Sequence, residues 1–489
     1  MIVIFFNTVY IIHHRKLEKR EIRDEKICFV CLFAFIRSCR SICSVDSSVS
    51  ERRSDRLRGK QHYLRWSLSF IYLAVLYDPF PGSTHLSPCF DIFNEGVGGD
   101  VAEMIYQRLD KVFEHEPTVV TLSFGMNDVG YMDFRKPGAD TIARNRVEKA
   151  CRDYALIEEV YKKYPEVRKI LIGSSPYDET SRFNKVAFPG KNTQILKIVD
   201  FLNARARENQ WGFVDFNRPM VAINQWEQAA DSMYTLCGKD RIHPSTDGHL
   251  VMAYLFLKAQ GLAGKPVADI RIDGAGKKVT RSDNCRVSDL SVSSDNLTFT
   301  YEAKSLPYPI DTSYYDNEKH TQADALSVIP FMDEMNYEGL SVSGLSDGYY
   351  GLTIGGEFIG RFTARELERG INMALLQNTP QYKQAMKIRQ MNEERWLKER
   401  KMREFYWVEY NLMRKTGMLW ACNEAAVDTL RKYRPHDIFL QWNGDLWLQY
   451  MHKGIREDCV NEQQDLVNQI YEQNKPIPLQ IEIKQFTDL

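Results

Sequence analysis

Between Phe90 and Gln260 the chain alternates short apolar runs with longer segments whose apolar residues recur every three or four positions. The short runs are rich in β-branched and aromatic residues and predict strands, whereas the periodic segments predict amphipathic helices. The predicted strands lie at residues 91–93, 118–124, 169–173 and 212–216, and the predicted helices at residues 101–114, 142–163, 193–208 and 249–260. Strands and helices that alternate in this way are typical of an α/β fold with a parallel sheet covered on both faces.

The pattern changes after this region and predicts further units. Residues 265–362 contain short β-like runs, and from about residue 363 the pattern becomes helical, with one long charged helix that carries a single apolar stripe for packing on a neighbour. We therefore expect an α/β domain over 90–264, a smaller β-rich region over 265–362 and a helical C-terminal region over 363–489. Residues 1–89 lack the regular alternation and form a separate N-terminal region.

Composition and charge exclude several classes of protein. The chain has 489 residues, which is more than one ordinary domain. Its 64 Lys and Arg balance 65 Asp and Glu, so we predict no nucleic-acid partner held by bulk electrostatics. No N-terminal apolar run reaches the roughly 20 residues of a membrane-spanning helix. None follows a typical signal-peptide lead either.

The cysteines predict neither a metal site nor a disulfide framework. Cys28 and Cys31 form a C-x-x-C, but they lie inside an apolar run, and no second pair follows at zinc-binding spacing. The five later cysteines are odd in number and widely scattered, which indicates free thiols. We therefore predict no metal ligand set in this chain.

Three loops in the α/β region carry residues suited to catalysis. The glycines of residues 94–100, Gly99 among them, allow backbone N–H groups to approach an anion. Asn127 follows a predicted strand and can donate a hydrogen bond to a developing oxyanion. Asp240 stands three residues before His243, a spacing at which a carboxylate can orient an imidazole as a general base. Taken singly, each loop is equally explained by an ordinary turn.

Together and in this order, the loops resemble blocks II, III and V of the SGNH/GDSL hydrolase family. The resemblance runs from about residue 90 to residue 262, and DRIHPSTDGHLVMAYLFLKAQGL is similar to the closing block and last helix of that family. It implies a three-layer α/β/α sandwich with a parallel, flavodoxin-like sheet. It also implies that Gly99 and Asn127 form an oxyanion hole, that His243 is the base and that Asp240 orients it. No metal or organic cofactor is implied.

The same resemblance implies a serine esterase or acylhydrolase that acts on a small-molecule or carbohydrate ester, in a secreted or periplasmic location. The nucleophilic serine should stand in a Gly-Asp-Ser type block at the end of the first strand. No such block is present in residues 1–89. Ser47 follows no clean strand, and Ser67 has neither a glycine nor an acidic residue directly before it. The nucleophile is therefore unknown in the printed sequence.

A one-base shift of the reading frame restores the missing block. If each true codon joins the last two bases of one codon to the first base of the next, residues 60–64 permit Asn-Ser-Ile-Thr, with a glycine permitted directly before them. Residues 54–59 then permit the strand Arg-Ile-Val-Phe-Val. We predict that residues before about position 90 are out of frame and that the native first strand is missing or replaced. The alternative is a divergent N-terminal extension on a homologue without the serine.

Two functions from other classes are kept as alternatives. A non-catalytic protein with the same site would bind a carbohydrate or an ester without turnover. A membrane-tethered interaction protein would use the N-terminal apolar runs, all of which lie in the region predicted to be out of frame. The presence or absence of the serine distinguishes the esterase from the binding protein.

Overall fold

The computed structural model describes residues 8–14, 90–182, 187–313 and 320–486. The segment 54–64, with its predicted frame shift, lies outside the described residues. The same is true of Ser47 and Ser67 and of the Cys28 and Cys31 pair.

The first part of the described chain is an α/β domain built on one five-stranded sheet. In the spatial order β2-β1-β3-β4-β5, this sheet contains β1 (Thr8–His14), β2 (Phe90–Asn94), β3 (Val119–Phe124), β4 (Arg168–Gly173) and β5 (Gly212–Asp215). Its helices are α1 (Ala102–Tyr106), α2 (Leu109–Glu114), α3 (Ala139–Lys162), α4 (Lys191–Glu208), α5 (Asn217–Glu227) and α6 (Thr246–Ala259). This order of strands and helices confirms the predicted α/β class.

Both faces of the sheet are covered because successive side chains of a strand point to opposite faces. In β4, Leu171 belongs to the core that contains Tyr154 of α3 and Ile198 of α4. Its neighbours Ile170 and Ile172 belong to a different core, which contains most of α6. The domain is therefore the expected three-layer α/β/α sandwich.

One strand departs from the parallel sheet that the family resemblance implied. β1 lies between β2 and β3 and runs antiparallel to both, whereas β3, β4 and β5 are parallel. A strand of either direction can satisfy the facing N–H and C=O groups of its neighbours, and TVYIIHH is rich in strand-forming residues. Because Thr8 pairs with Ser123 near the carboxyl end of β3, β1 ends at the opposite edge of the sheet. The end of β1 therefore does not lie at the carboxyl edge, where a first parallel strand would end.

The predicted helix over 101–114 is two short helices. The backbone N–H of Arg108 bonds to the carbonyl oxygen of Ile105 (3.0 Å), which is a tighter turn than an α-helix makes. The side chain of Arg108 then turns inward. Ile105 and Val112 are both buried, so each short helix keeps its apolar face on the core.

Two sheets form the β-rich region. The four-stranded sheet has the order β13-β10-β6-β7, and the five-stranded sheet has the order β12-β11-β14-β9-β8. The strands are β6 (Ala268–Asp273), β7 (Lys278–Asp283), β8 (Cys285–Val292), β9 (Asn296–Ala303), β10 (Glu338–Ser343), β11 (Tyr349–Ile354), β12 (Glu357–Thr363), β13 (Ile371–Asn372) and β14 (Leu479–Gln485), and two short helices are α7 (Phe331–Glu334) and α8 (Ala364–Arg369). Ile270 and Leu340 of the first sheet share one core with Phe299 and Ile481 of the second. The two sheets therefore pack as a sandwich.

Four helices form most of the C-terminal region. They are α9 (Pro380–Val408), α10 (Glu424–Tyr433), α11 (Ile438–Tyr450) and α12 (Lys453–Gln473), and a π-helical turn at Glu409–Met413 follows α9. The region expected to be helical over 363–489 nevertheless ends in a strand. β14 alternates buried and exposed residues and pairs with β9 and β11, so the chain returns to the β-rich region after the helices.

The helical region is packed firmly on the α/β domain. α6 is buried on nearly all sides, and its Phe256 shares a core with Ala385 and Ile388 of α9 and with Val467 and Ile470 of α12. A helix without a polar face must be covered on all sides. The sequence of α6 therefore requires the cover that α9 and α12 provide.

Glu338, the first residue of β10, is a buried carboxyl group at the junction of both sheets and α9. Its Oε1 accepts hydrogen bonds from the hydroxyl of Tyr301 (2.8 Å) and from Nε2 of Gln381 (3.2 Å). Burial raises the pKa of Glu338 to about 7, although both hydrogen bonds act in the opposite direction. The carboxyl group is therefore protonated in the folded protein at mildly acidic pH.

This pKa predicts a pH-dependent stability. The unfolded chain releases the Glu338 proton near pH 4.5. Stabilisation from the protonated group is therefore present below that pH and is lost as the pH rises toward 7, by about 1.4 kcal/mol per pH unit. Glu338→Gln should lose this dependence. The free energy of unfolding of the variant, relative to that of the unsubstituted chain, should therefore increase between pH 4.5 and 7. Urea unfolding at several pH values measures the effect. Glu302→Gln, at an exposed ion pair with Arg286, is the control and should show no such growth.

Within the described ranges, no helix is long and apolar enough to cross a membrane. The cysteines of those ranges, Cys151, Cys237, Cys285, Cys422 and Cys459, are free thiols, which confirms the prediction for them. No group of three or more His, Cys, Asp and Glu side chains among the described residues is arranged to hold a metal ion.

Candidate active site

The loop after β2 holds Gly99 in an exposed position. Gly99 has a φ of +89°, in the left-handed region that favours glycine. The next residue, Asp100, is buried and forms a two-point ion pair with the guanidinium of Arg108. Oδ2 of Asp100 also accepts a hydrogen bond from the N–H of Val97 (3.2 Å). Asp100 and Arg108 therefore hold this loop in one conformation while Gly99 faces solvent.

Asn127 lies in the turn directly after β3. Its Nδ2 donates to the carbonyl oxygen of Asp100 (3.0 Å), and its Oδ1 accepts from the hydroxyl of Tyr131 (2.6 Å). The neighbouring Asp128 accepts from the N–H groups of Ala102 (2.8 Å) and Gly125 (2.9 Å). The turn after β3 and the loop after β2 are therefore joined directly.

Asp240 and His243 form the expected pair. Oδ2 of Asp240 lies 2.5 Å from Nδ1 of His243, and Oδ1 of Asp240 accepts from the N–H groups of Ile242 (2.8 Å) and His243 (2.9 Å). Burial opposes ionisation of Asp240, but the contacts with His243 outweigh it and lower the pKa of Asp240 to about 2. The side chain of His243 is 36% exposed, so part of it faces solvent while Asp240 holds Nδ1.

Tyr131 connects this pair to Asn127. The Tyr131 hydroxyl bonds to Asn127, and its pKa is raised first by burial and next by the carboxylate of Asp240. The side chains of Tyr131 and Ile242 also pack against the same core. The structure thus brings together the loops of Gly99, Asn127 and His243 at the carboxyl edge of the sheet, as predicted for ligand sites in this class of fold.

Lys191 is a buried residue that sequence reasoning missed. Its ammonium group donates to the carbonyl oxygens of Met126 (2.8 Å) and Gly130 (2.5 Å) and lies 3.8 Å from the centre of the Tyr131 ring. Burial, followed by the charge of Arg146, lowers the pKa of Lys191 to about 7. Lys191 therefore fixes the backbone on both sides of Asn127. Its sequence context, at the start of a helix, gave no signal of this role.

Trp407 is a second missed residue, and it comes from the helical region. Nε1 of Trp407 donates to the carbonyl oxygen of Gly98 (3.1 Å), directly before Gly99. Arg414 donates to the carbonyl oxygen of Gln107 (3.1 Å) in the same part of the α/β domain. The end of α9 and the turn after it therefore contact the loop of Gly99. Trp407 and Gly98 are about 300 residues apart in the chain, so no local sequence pattern could predict this contact.

The described residues supply no obvious nucleophile from the sheet. Ser123 lies within β3, and Ser174 and Ser175 directly follow β4, but all three are buried. The hydroxyl of Ser174 donates to a backbone carbonyl oxygen. None of these serines presents an open hydroxyl group to a substrate.

Two family models match the chain. The GDSL-like lipase/acylhydrolase family matches residues 83–251, and the diltiazem deacetylase C-terminal helical domain matches residues 386–475. A search of curated proteins gave no match.

Solved structures give a more extensive match. A gut microbial diltiazem-metabolizing enzyme is 38% identical, with a TM-score of 0.81 over 86% of this chain and 94% of its own. The acetyl xylan esterase AlAXEase is 21% identical, with a TM-score of 0.27 over 34% of this chain and 78% of its own. The acetylxylan esterase Axe2 from Geobacillus stearothermophilus is 22% identical, with a TM-score of 0.27 over 34% of this chain and 71% of its own.

The TM-scores of the two xylan esterases are too low to support an argument. The diltiazem-metabolizing enzyme, in contrast, is similar over most of both chains, including the helical region. Together with the match to residues 83–251, this similarity identifies the family. The chain belongs to the GDSL-like lipase/acylhydrolase family of ester-bond hydrolases.

Proposed function

We propose that the chain, in its restored reading frame, deacetylates small-molecule esters with a serine nucleophile positioned beside His243. The observation that carries the proposal is the contact between Asp240 and His243 on the same edge of the sheet as Asn127 and Gly99. The relative named for diltiazem metabolism, and the match to a diltiazem deacetylase helical domain, support an acetyl ester of a drug-sized molecule as the substrate.

The proposed reaction uses two acyl-transfer steps. The serine hydroxyl attacks the ester carbonyl carbon, and Nε2 of His243 takes its proton because Nδ1 is engaged by Asp240. The imidazolium then gives this proton to the departing alcohol. In the second step His243 takes a proton from the water that attacks the acetyl carbon, and it returns this proton to the serine oxygen as the acyl–oxygen bond breaks and acetic acid leaves. Atoms and charges balance without a metal or an organic cofactor.

The oxyanion that forms in both steps is assigned to Gly99 and Asn127. Gly99 offers a backbone N–H and is itself exposed. The amide of Asn127 carries two N–H bonds, and one of them already donates to Asp100. That bond, with Tyr131 on the amide oxygen, sets the orientation of the second N–H. Donors that are oriented before reaction cost no reorganisation when the negative charge develops.

The test compares two forms of the chain. One is the printed sequence, and the other carries the one-base shift that encodes Gly-Asn-Ser-Ile-Thr over codons 59–64. We expect hydrolysis of p-nitrophenyl acetate and release of acetate from diltiazem in the restored form, and loss of both when its new serine is changed to alanine. Equal hydrolysis by both forms would show that the nucleophile lies elsewhere. Inactivity of both would favour the non-catalytic binding protein.

The identity of the natural alcohol is a separate question within this proposal. An acylated carbohydrate was the substrate class that the family resemblance suggested, and a drug-sized ester is the class that the relative's name suggests. Parallel assays with diltiazem and xylose tetraacetate distinguish them. We expect the larger kcat/KM with diltiazem.

Asn127→Ala should lower kcat of the restored enzyme by roughly 100- to 1,000-fold, because one oxyanion donor contributes about that much. The KM for p-nitrophenyl acetate should change little, since the donor acts mainly on the transition state. Asn209→Ala is a suitable control, because that amide bonds to a helix carbonyl at the far end of α4. A comparable loss in both variants would indicate a folding defect.

A further inference from the structure

A row of aromatic side chains begins at the loop of Gly99 and extends to the surface. Trp407 holds the carbonyl oxygen of Gly98 through its indole N–H. Phe439 of α11 stacks on Trp407, with ring centres 5.2 Å apart and planes 29° from parallel. Trp442, one turn further along α11, meets Phe439 edge to face at 5.4 Å. We call these three side chains the aromatic row.

The outer part of this row is open to solvent. Phe439 is 45% exposed and Trp442 is 50% exposed, and the adjacent Ile438 is 48% exposed. Large apolar side chains that remain exposed together are costly and mark binding surfaces more often than isolated ones do. The aromatic row connects this patch to the loop that carries the assigned oxyanion donor, through the hydrogen bond of Trp407 to Gly98.

The row is also held in place. The side chain of Asp437 caps α11 by accepting from the N–H groups of Phe439 (2.7 Å) and Leu440 (3.1 Å). On the inner side of α11, the indole of Trp447 donates to the buried Glu409 (2.8 Å), in the π-helical turn that follows Trp407. Both helices that supply the aromatic row are therefore fixed to one another. A platform that is rigid before binding loses little entropy when a ligand arrives.

We propose that the aromatic row binds the alcohol portion of the ester and selects substrates whose alcohol portion carries aromatic rings. This inference rests on the proposed function, since it names the substrate class of the same site. Stacked and edge-to-face contacts favour aromatic rings over the non-aromatic ring of a sugar. The helical region then has a defined role, because it supplies both the support for Gly98 and the surface that receives the departing group.

The test uses binding to the printed chain, which lacks the restored serine and so leaves the ester intact. Isothermal titration calorimetry measures the Kd of 2-naphthyl acetate and of xylose tetraacetate. We expect roughly five- to tenfold weaker binding of 2-naphthyl acetate in Phe439→Ala and in Trp442→Ala, from the loss of one aromatic contact. Binding of xylose tetraacetate should not change. Trp226→Ala is the control, because this tryptophan of α5 is 80% exposed and does not belong to the aromatic row. It should not change the Kd of either ligand.

Two results would overturn the inference. One is unchanged affinity for 2-naphthyl acetate in both variants, and the other is an equal loss for both ligands. Phe439→Leu keeps an apolar side chain and guards against misfolding, and it should weaken binding of 2-naphthyl acetate as Phe439→Ala does. Because no turnover is needed, failure here leaves the hydrolysis proposal intact. Conversely, an inactive restored enzyme with the expected binding losses would contradict the hydrolysis proposal alone.

Discussion

Replacing His243 by alanine in the restored enzyme should lower kcat/KM for p-nitrophenyl acetate by about four to six powers of ten. His243 has two tasks in the proposed reaction, since it takes the proton of the serine and then gives it to the leaving alcohol. Without the base the serine attacks only as a neutral hydroxyl, and the covalent route stops.

Steady-state hydrolysis and a single-turnover assay measure this loss. His452→Ala is the matched control, because His452 is an exposed histidine at the start of α12, where its ring contacts Cys422. It should retain the activity of the restored enzyme. Residual hydrolysis within tenfold of that activity in His243→Ala would show that another group serves as the base.

Asp240→Asn should lower kcat by roughly 10,000-fold, although asparagine has almost the same shape as aspartate. The carboxylate accepts the proton on Nδ1 of His243 and so keeps Nε2 ready to act as a base. An amide nitrogen at the same position would donate to Nδ1 and stabilise the other tautomer. The low pKa of Asp240, about 2, means that the carboxylate is charged throughout the usual assay range.

This substitution separates orientation from folding. The backbone N–H groups of Ile242 and His243 can still donate to the amide oxygen of asparagine, so the loop should keep its shape. The Tm should therefore change little while kcat falls. Asp200→Asn, at an exposed ion pair with Arg218, should change neither quantity. A fall in Tm that parallels the fall in kcat would instead assign Asp240 a mainly structural role.

The elements of the α/β domain were predictable because each carries its own periodicity. The strands at 119–124 and 168–173 and the helices at 191–208 and 246–259 lie within three residues of the ranges predicted from apolar spacing. Spacing did not predict α5, whose eleven residues include only three that are buried. Spacing also missed β14, because the seven residues of this strand follow a long helical region and were included in it.

The residues of the candidate site also divide into those that the sequence could identify and those that it could not. Gly99, Asn127, Asp240 and His243 could be named from the sequence because their short motifs, taken together and in this order, resemble blocks of a known hydrolase family. Tyr131 could not, because its role depends on a single hydroxyl contact with Asn127 and leaves no trace in residue spacing.

The sequence by itself therefore determined the α/β class, the order of most elements of the α/β domain and the residue types of the three loops, since these depend on local periodicity and on short motifs. Only the tertiary structure decided that β1 runs antiparallel and that Lys191 supports the turn of Asn127. It also brought Trp407 to Gly98, across about 300 residues. The physical reason is that such contacts depend on how whole elements pack. The buried surface of α6 holds the helical region against the domain, and no local pattern records where the ends of those helices will lie.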